Sequence, residues 1–411
     1  MSAQTSFVYE KQINAPADLI YRAFTSSRGI REWLCDVCST NPTEGGYICL
    51  AWNNGYYATG HFTKLEQNRL ISFTWIGRGE PDWSQVDVTI TPLQDDGNYR
   101  VKVFHQGVGT NSEWEAARAE ISKGWQLGID NLKEVLEEGR DLRRMNRPLI
   151  GIFPFDFSLY KDTARESMGV PVDHGVLVLN VVPGFGADKA GIKSDDVIIA
   201  IDGKKTENIA SLFAIIPEYE PGDRISMTVY RGKEKLDFLV DTTPQLFQSL
   251  PGSPEDLAKE IEFNSTKLLE KLESILAGVS EAEASYSPGP EQWSAKETIV
   301  ECILHERDLQ RWLNNLVTEQ DCFCEEMPIH SLFQIRATLT TYPTLDDLMA
   351  ELRRSFKETV ACVAFLDEKF TRKKASYWHV GFELLEKVMG YEEFFRQIER
   401  TIKLAKNSRN D

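Results

Sequence analysis

The chain has 411 residues, 63 of them acidic and 46 basic, with a formal net charge of −17 and a hydrophobic fraction of 42%. This length exceeds the number of residues that usually pack around one hydrophobic core, and it predicts about two to three domains. The hydrophobic fraction excludes global disorder. The acidic balance excludes nucleic acid as a partner, because backbone phosphates require a clustered basic surface. No window approaches the roughly 18 apolar residues of a membrane span, and no basic and apolar leader opens the sequence, so we expect a cytoplasmic protein.

The seven cysteines are an odd number in a long chain and are typical of reduced thiols. Cys35 and Cys38 have the spacing of a zinc ligand pair, and Cys322 and Cys324 flank one phenylalanine. Neither pair is matched by a second pair at zinc-site spacing. We therefore expect neither a structural metal nor another cofactor.

Residues 1–145 read as one strand, one helix, a series of strands and a long final helix. Asn-Gly, Gln-Asn and Asp-Gly turns separate short β-rich runs, which is typical of an antiparallel meander. The predicted strands are Phe7–Ile13, Tyr47–Trp52, Tyr57–Leu65, Leu70–Trp75, Val86–Pro92 and Tyr99–His105. A first helix is predicted to begin at Ala17, and a second, long helix is predicted over Trp114–Leu136. This order predicts an α+β helix-grip fold.

The segments GHFTKLEQNRLISFTWI, VDVTITPLQDDGNYRVKVFHQGV and SKGWQLGIDNLKEVLEEG resemble the START-like (SRPBCC) superfamily, in its branch similar to the activator of the heat-shock chaperone ATPase. The resemblance implies an apolar small-molecule ligand between sheet and helix, where a concave apolar space is the default binding site. The candidate cavity residues are Trp33, Trp52, Trp75, His105 and Trp125. The competing interpretation is that these large aromatics only fill the core.

Residues 148–245 contain PLIGIFPF, HGVLVLNVV and PGFGADKAGIKSDDVIIAIDGK, which resemble a PDZ domain of the bacterial type. That family captures a protein C-terminus or an extended peptide at a sheet edge. The resemblance makes the loop and edge residues Leu149, Ile150, Gly151, Ile152 and Phe153 the candidate peptide-binding residues. Successive backbone amides around a glycine suit a terminal carboxylate, and Asn208–Ile216 is the predicted helix of the opposite wall.

Pro154 falls inside the expected docking edge and removes one backbone donor from it. Two interpretations follow for the groove: capture of an external peptide, or occupation by a neighbouring segment of this chain. No Gly-x-Ser-x-Gly or comparable nucleophile context accompanies the domain, so the sequence predicts no protease activity.

Residues 252–408 change to helical periodicity, which predicts an all-α four-helix bundle. The predicted helices begin at Pro254, at the Ser294–Glu297 capping box, near Leu345 and near Tyr377, with one long connection over Thr318–Thr344. The stretch PEQWSAKETIVECILHERDLQRWL resembles the DinB-like family, many of whose members hold a divalent metal with three histidines. His305 matches the first of these, but the other two positions carry Gly390 and Phe394, or Tyr391 and Phe395. His305 is therefore interpreted as the remnant of a metal site, with no metal expected.

The sequence thus predicts a multidomain, non-enzymatic binding protein with an apolar small molecule in its first domain and a peptide or protein at its second. One alternative is a metal-dependent transferase or hydrolase that uses His305. Another is a regulator of a chaperone ATPase, which depends on fold-level analogy.

Overall fold

The structure is a computed structural model that describes residues 4–93, 97–159, 168–244, 249–289, 292–320 and 330–408. Its contacts divide the chain into two compact units. Unit 1 combines Met1–Asp141 with Ser249–Asp411, and unit 2 is Leu142–Gln248. The β-rich middle segment is thus inserted in sequence between two parts of one compact body.

The amino-terminal part of unit 1 is a seven-stranded antiparallel sheet with strand order β1-β7-β6-β5-β4-β3-β2. A long helix, α3, packs against β1 and ends at Gly139, whose φ of 75° closes the helix in the left-handed conformation. The elements are β1 (Gln4–Asn14), α1 (Ala17–Thr25), α2 (Ser27–Arg31), β2 (Val37–Thr40), β3 (Tyr47–Ala51), β4 (Tyr57–Glu66), β5 (Leu70–Gly77), β6 (Ser84–Pro92), β7 (Asn98–Gly109) and α3 (Glu115–Glu138).

All six strands predicted in this region are present. Among its strands, only the short edge strand β2 was not predicted. Strand β6 shows why the pattern was readable: Val86, Val88 and Ile90 are buried on one face and alternate with more exposed residues. Strand β2 has four residues, of which only Cys38 is buried, so its sequence carries little alternation.

Unit 2 contains a sheet of order β14-β13-β11-β10-β9, with β12 paired to β11, and a separate β8–β15 pair. Alternating valine, isoleucine and methionine residues of β10, β11 and β13 fill its core. The elements are α4 (Leu142–Met145), β8 (Pro148–Leu149), β9 (Ile152–Asp156), β10 (Val176–Val181), α5 (Gly186–Ala190), β11 (Asp196–Ile201), β12 (Lys204–Lys205), α6 (Ile209–Ile215), β13 (Arg224–Arg231), β14 (Glu234–Asp241) and β15 (Thr243–Pro244).

The carboxyl-terminal part of unit 1 consists of helices joined by turns and loops, with no strand among the residues described there. Four long helices pack through apolar stripes, and serine or threonine caps begin three of them. The helices are α7 (Pro254–Leu276), α8 (Glu281–Ala284), α9 (Ala295–Val317), α10 (Leu332–Thr341), α11 (Leu345–Ala364), α12 (Glu368–Thr371) and α13 (Lys374–Asn407). The long connection predicted over Thr318–Thr344 contains the short helix α10, which a Ser331–Gln334 capping box starts.

A partly buried ion network joins the two parts of unit 1. Arg22 on α1 donates from Nη1 to Glu32 Oε2 at 2.7 Å and from Nε to Glu319 Oε1 at 2.9 Å. Lys373 also pairs with Glu319, and Ser376 donates to Glu32. Burial alone would lower the pKa of Arg22, but the two carboxylates outweigh it and raise that pKa. These pairs connect α1 with Glu319, which follows α9, and with the start of α13, across the two parts of unit 1.

None of the helices described is both long and apolar enough to cross a bilayer.

Candidate binding sites

The loop before β9 is shaped by two carbonyl hydrogen bonds. Ile150 O accepts from Ala187 N, and Gly151 O accepts from Val182 N, each at 2.9 Å. In a trans peptide the following N–H points opposite to the carbonyl. The amides of Gly151 and Ile152 therefore point away from these bonds. Successive amides that point outward are the chemistry that binds a carboxylate.

Glycine is required at position 151. Its φ is 78°, and an added Cβ would lie 2.1 Å from Phe185 Cβ. Both facts exclude a side chain, because the left-handed conformation and the contact each penalise it. The sequence predicted that this glycine permits close approach of a ligand, and in the structure it also permits close approach of Phe185.

Strand β9 has a described partner on one side only, since it ends the order of its sheet. Phe157 N donates to Gly175 O on the β10 side, and Gly151 O accepts from that same side. Alternation along β9 therefore directs the backbone groups of Ile152, Pro154 and Asp156 to the open edge. The open edge offers three carbonyls but only two N–H groups, because Pro154 has none.

Helix α6 lies beside the end of β9. Asn208 caps it in a reciprocal capping box with Ser211, and Asp156 accepts a hydrogen bond from the Ile209 amide. Leu212 is buried, whereas Phe213 is 64% exposed. The predicted wall helix is thus present, with a buried face and one exposed aromatic.

The predicted loop and edge residues divide between core and surface. Ile150 is buried in the core of unit 2, and Ile152 and Phe153 are partly buried on β9. Leu149 lies in β8, opposite Thr243. The Ile150 side chain is therefore unavailable to a peptide, whereas the side chains of Leu149, Ile152 and Phe153 remain partly exposed.

Three of the five predicted cavity residues meet in one aromatic cluster, formed by Trp75, His105 and Trp125. The ring centroids are 5.8 to 6.3 Å apart, and all three side chains are buried. Trp125 Nε1 donates to His105 Nδ1 at 3.0 Å, so the ring proton is on Nε2, 2.7 Å from Ser84 Oγ. Ser84 Oγ in turn donates to Trp75 O at 3.1 Å.

Burial lowers the pKa of His105 to about 4. The imidazole is therefore neutral near pH 7, in agreement with a ring that accepts at one nitrogen and donates at the other. Both nitrogens are occupied by protein partners, so His105 fixes two tryptophan-bearing elements and has no free base function in this arrangement.

The other two predicted cavity residues lie apart from the cluster. Trp33 is fully buried, contacts Phe24 edge-on at 5.0 Å and donates to Ala23 O at 2.7 Å. Trp52 is partly exposed and lies 5.3 Å from the Tyr56 ring. The structure thus brings Trp52, through Tyr56, to the edge of the aromatic cluster but not Trp33.

A surface groove of about 630 Å³ also lies in this part of unit 1. Its apolar wall includes Leu70, Ile90 and Tyr99, beside Asn68 and Arg69 of the β4–β5 turn, at the end of the sheet opposite to the β5–β6 turn. None of the five predicted cavity residues lines it. Sequence reasoning missed this groove because it follows from how strand ends meet rather than from aromatic composition.

His305 on α9 faces aromatic residues of α13. Its ring lies 5.8 Å from Tyr391 and 6.5 Å from Phe394, at two of the positions compared with the metal histidines of the DinB-like family. Burial lowers the pKa of His305. Among the residues described, no three histidine, cysteine or acidic side chains form a group suited to a metal, and this includes buried Cys35 and Cys38. Cys322 and Cys324 lie outside the described residues.

The bundle instead contains a buried ion pair that the sequence analysis missed. Glu306 is fully buried and accepts from Lys387 Nζ at 3.0 Å, Tyr391 OH at 2.7 Å and Thr359 Oγ1 at 2.6 Å. Burial raises the pKa of neighbouring Cys302 well above its ordinary value, and Glu301 and Glu306 raise it further. The reactive thiolate is therefore suppressed. In the sequence, this ion pair is indicated only by charged residues of α9 and α13 at positions where the helical period places buried side chains.

A second buried cluster surrounds His330. Its Nδ1 lies 3.0 Å from Glu301 Oε1, and its Nε2 lies 2.9 Å from Asp308 Oδ2. Glu301 and Asp308 are seven residues apart on α9 and therefore share one face. The ring thus fastens the segment before α10 to that helix.

Comparison with known families identifies two segments. Residues 14–137 match the model described as Activator of Hsp90 ATPase homolog 1-like protein, and residues 154–242 match the PDZ domain model. The chain carries one domain of each type. The predicted combination of an α+β part, a β-rich part and an all-α part in one multidomain chain is confirmed.

Curated relatives include the serine protease Do-like HtrB of Bacillus subtilis, which is 29% identical over 41% of this chain and 38% of its own length. Protease Do-like 1 of Arabidopsis thaliana is 27% identical over 43% of this chain and 41% of its own. The chain spans less than half the length of these relatives.

Among solved structures, the Aha1 dimer from Colwellia psychrerythraea covers 33% of this chain at 20% identity, with a TM-score of 0.30. An HSP90 activator from Plasmodium falciparum covers 32% at 21% identity, with a TM-score of 0.28.

Proposed function

We propose that this chain is a non-enzymatic binding protein that captures a protein C-terminus or an extended peptide along β9. The observation that carries the proposal is the open edge of β9 next to outward-pointing amides at Gly151 and Ile152. The match of residues 154–242 to the PDZ domain model supports it, since that family binds by strand addition. We propose external capture over a self-occupied groove, because no described strand pairs with the outer side of β9.

Pro154 sets a length limit on the captured strand. A peptide added to β9 finds donors at Ile152 and Asp156 but none between them. Its backbone ladder is therefore interrupted in the middle, at a cost of about 1 kcal/mol for one missing hydrogen bond. We expect selected ligands to use a short carboxyl-terminal segment.

The test is selection from a C-terminal peptide display library, followed by fluorescence anisotropy on the full chain. Pro154→Val restores one edge donor, and we expect it to bind the selected peptide about fivefold more tightly, the equivalent of about 1 kcal/mol. Pro244→Val, on a different strand, is a control that should leave affinity unchanged. A library that yields no peptide above background would refute external capture.

We further propose that the first domain binds an apolar small molecule beside the aromatic cluster, entering at partly exposed Trp52. The match of residues 14–137 to its family model and the buried aromatic surface support this. Native mass spectrometry of the purified chain tests it. A spectrum in which only the mass of the bare chain appears after exposure to an apolar ligand library would count against the proposal.

A second candidate function is regulation of a chaperone ATPase, favoured by the description of the family model matched at residues 14–137. It is tested by adding the full chain to a purified Hsp90-type ATPase. An unchanged turnover rate would exclude it for that chaperone.

We propose that the bundle is a DinB-like fold without metal catalysis. Tyr391 and Phe394 against His305, and the raised pKa of Cys302, support this interpretation. Elemental analysis of the purified chain is the test. A stoichiometric divalent metal that disappears in His305→Ala would instead favour a metal-dependent transferase or hydrolase.

A further inference from the structure

A buried carboxylate next to the aromatic cluster lacks a counter-charge. Glu80, in the turn between β5 and β6, is 8% exposed. Its Oε1 accepts from Tyr56 OH at 3.0 Å and from Trp75 Nε1 at 3.1 Å. Its Oε2 is buried and has no hydrogen-bond partner among the described residues. A half-satisfied buried carboxylate is costly to keep unless something else pairs with it.

No described cation compensates Glu80. Across the described ranges, no lysine, arginine or histidine forms an ion pair with it. Arg78, two residues earlier, donates to Gly55 O and is exposed. His105 is neutral near pH 7, with both ring nitrogens in hydrogen-bond contact with Trp125 and Ser84. The part of the chain that the structure describes therefore places no cation beside the Glu80 carboxyl group.

The surroundings of Glu80 also favour positive charge. Burial raises the pKa of Tyr56, and the carboxylates of Glu80 and then Glu120 raise it further. Negative potential therefore reaches the Tyr56 hydroxyl from the β5–β6 turn and from α3. Trp75 and Tyr56 direct their N–H and O–H groups at Glu80, and the Trp52 ring packs against Tyr56, so aromatic side chains surround the carboxyl group. Aromatic rings attract cations most strongly when water is excluded.

The position of Glu80 is built into the local backbone. Its amide donates to Gly77 O at 3.0 Å. A Cβ on Gly77 would lie 2.1 Å from the Tyr56 hydroxyl and 2.4 Å from Glu80 Oε1. The absence of a side chain at position 77 is thus what lets these two polar groups meet.

We propose that Glu80, with Trp52, Tyr56 and Trp75 around it, is a site for a small organic cation, a protonated or quaternary amine. The carboxyl group supplies the charge, and aromatic side chains of the kind that attract an alkylammonium group lie around it. This inference rests on the proposed ligand site in the first domain and specifies the chemical class of the group bound there.

The experiment is a tryptophan-fluorescence titration of the full chain with choline and with 3,3-dimethylbutan-1-ol, a neutral compound of nearly the same shape. We expect choline to bind at least about tenfold more tightly than the alcohol, and Glu80→Gln to abolish that preference. Trp52→Leu, which leaves the carboxylate in place, should weaken choline binding several-fold, and it keeps the test valid if Glu80→Gln does not fold. Asp82→Asn, an exposed neighbour in the same turn, is the matched control.

Equal affinity for choline and the alcohol, undiminished choline binding by Glu80→Gln, or no choline binding would each overturn the cation site. Nile red, a neutral apolar probe, separates this result from the proposed function. If Nile red binds wild type and Glu80→Gln alike while choline does not bind, the apolar site stands and the cation site fails. If neither probe binds, both proposals fail.

Discussion

Replacing His105 tests whether the aromatic cluster depends on a neutral imidazole. The pKa of His105 is lowered from 6.5 to about 4 in the folded chain. Below pH 6.5 the unfolded chain binds a proton that the folded chain does not, so stability is lost as pH falls from 6.5 towards 4. For these two pKa values the linkage relation gives a loss of about 3 kcal/mol at pH 4 and about 1 kcal/mol at pH 6.

His105→Phe removes this titration and leaves Ser84 and the Trp125 N–H without their partner, at about 1–3 kcal/mol for each buried group. The variant is therefore expected to be less stable than wild type at pH 7.5, and the difference should shrink by about 3 kcal/mol at pH 4. Carboxylate titrations occur in both proteins and cancel in this comparison.

The assay is urea unfolding at several pH values, followed by tryptophan fluorescence. All nine tryptophans lie in the sequence of unit 1, so the signal reports the unit that contains His105. If the difference in free energy of unfolding between wild type and His105→Phe stays constant from pH 7.5 to pH 4, the neutral, buried imidazole is refuted.

Two further predictions concern the bundle and the loop before β9. Lys387→Met leaves the Glu306 carboxylate in the core without its cation and should lower the free energy of unfolding, measured in urea, by about 3–5 kcal/mol. The double variant Lys387→Met/Glu306→Gln should recover most of this loss. No recovery would contradict the buried pair. Gly151→Ala, at φ 78° and in collision with its neighbour, should weaken peptide binding at least about tenfold by anisotropy. Gly184→Ala, at φ 80° with nothing within 4 Å, carries the same backbone strain without the collision, so an equal effect of both variants would count against a specific role of the loop.

The regular elements could be predicted from the sequence because their periodicity is local. The alternation of β6 and the stripe of α9 are each visible in a short window. Strand β2 and helix α10 were missed, since a four-residue edge strand has little pattern and α10 has only two buried positions, Ile335 and Thr338.

The candidate sites were predictable only where family patterns carry them. Gly151 and its loop followed from the resemblance to PDZ domains. The separation of Trp33 from the other predicted cavity residues could not be predicted in this way. Trp33 and Trp75 have different neighbours in the folded chain, and these neighbours are not visible in the local sequence. Glu80 gave no signal at all, since an acidic residue in a Gly-Glu-Pro turn is typical of an exposed loop.

The association of the first and last segments in one unit was equally hidden. One of its contacts is the pair of Arg22 with Glu319, which lies 297 residues further along the chain. No periodicity connects residues at that distance. The sequence therefore predicted separate successive domains, whereas the contacts group two of them into unit 1.

Capture of a chain end at β9 can be decided by one pair of dissociation constants. A peptide selected by the full chain is measured by anisotropy with a free carboxylate and with an amidated C-terminus. If the amides of Gly151 and Ile152 hold the carboxylate, amidation should weaken binding at least about tenfold, because hydrogen bonds to a charged group contribute about 1.5–3 kcal/mol. Equal affinity of the two peptides would contradict the account.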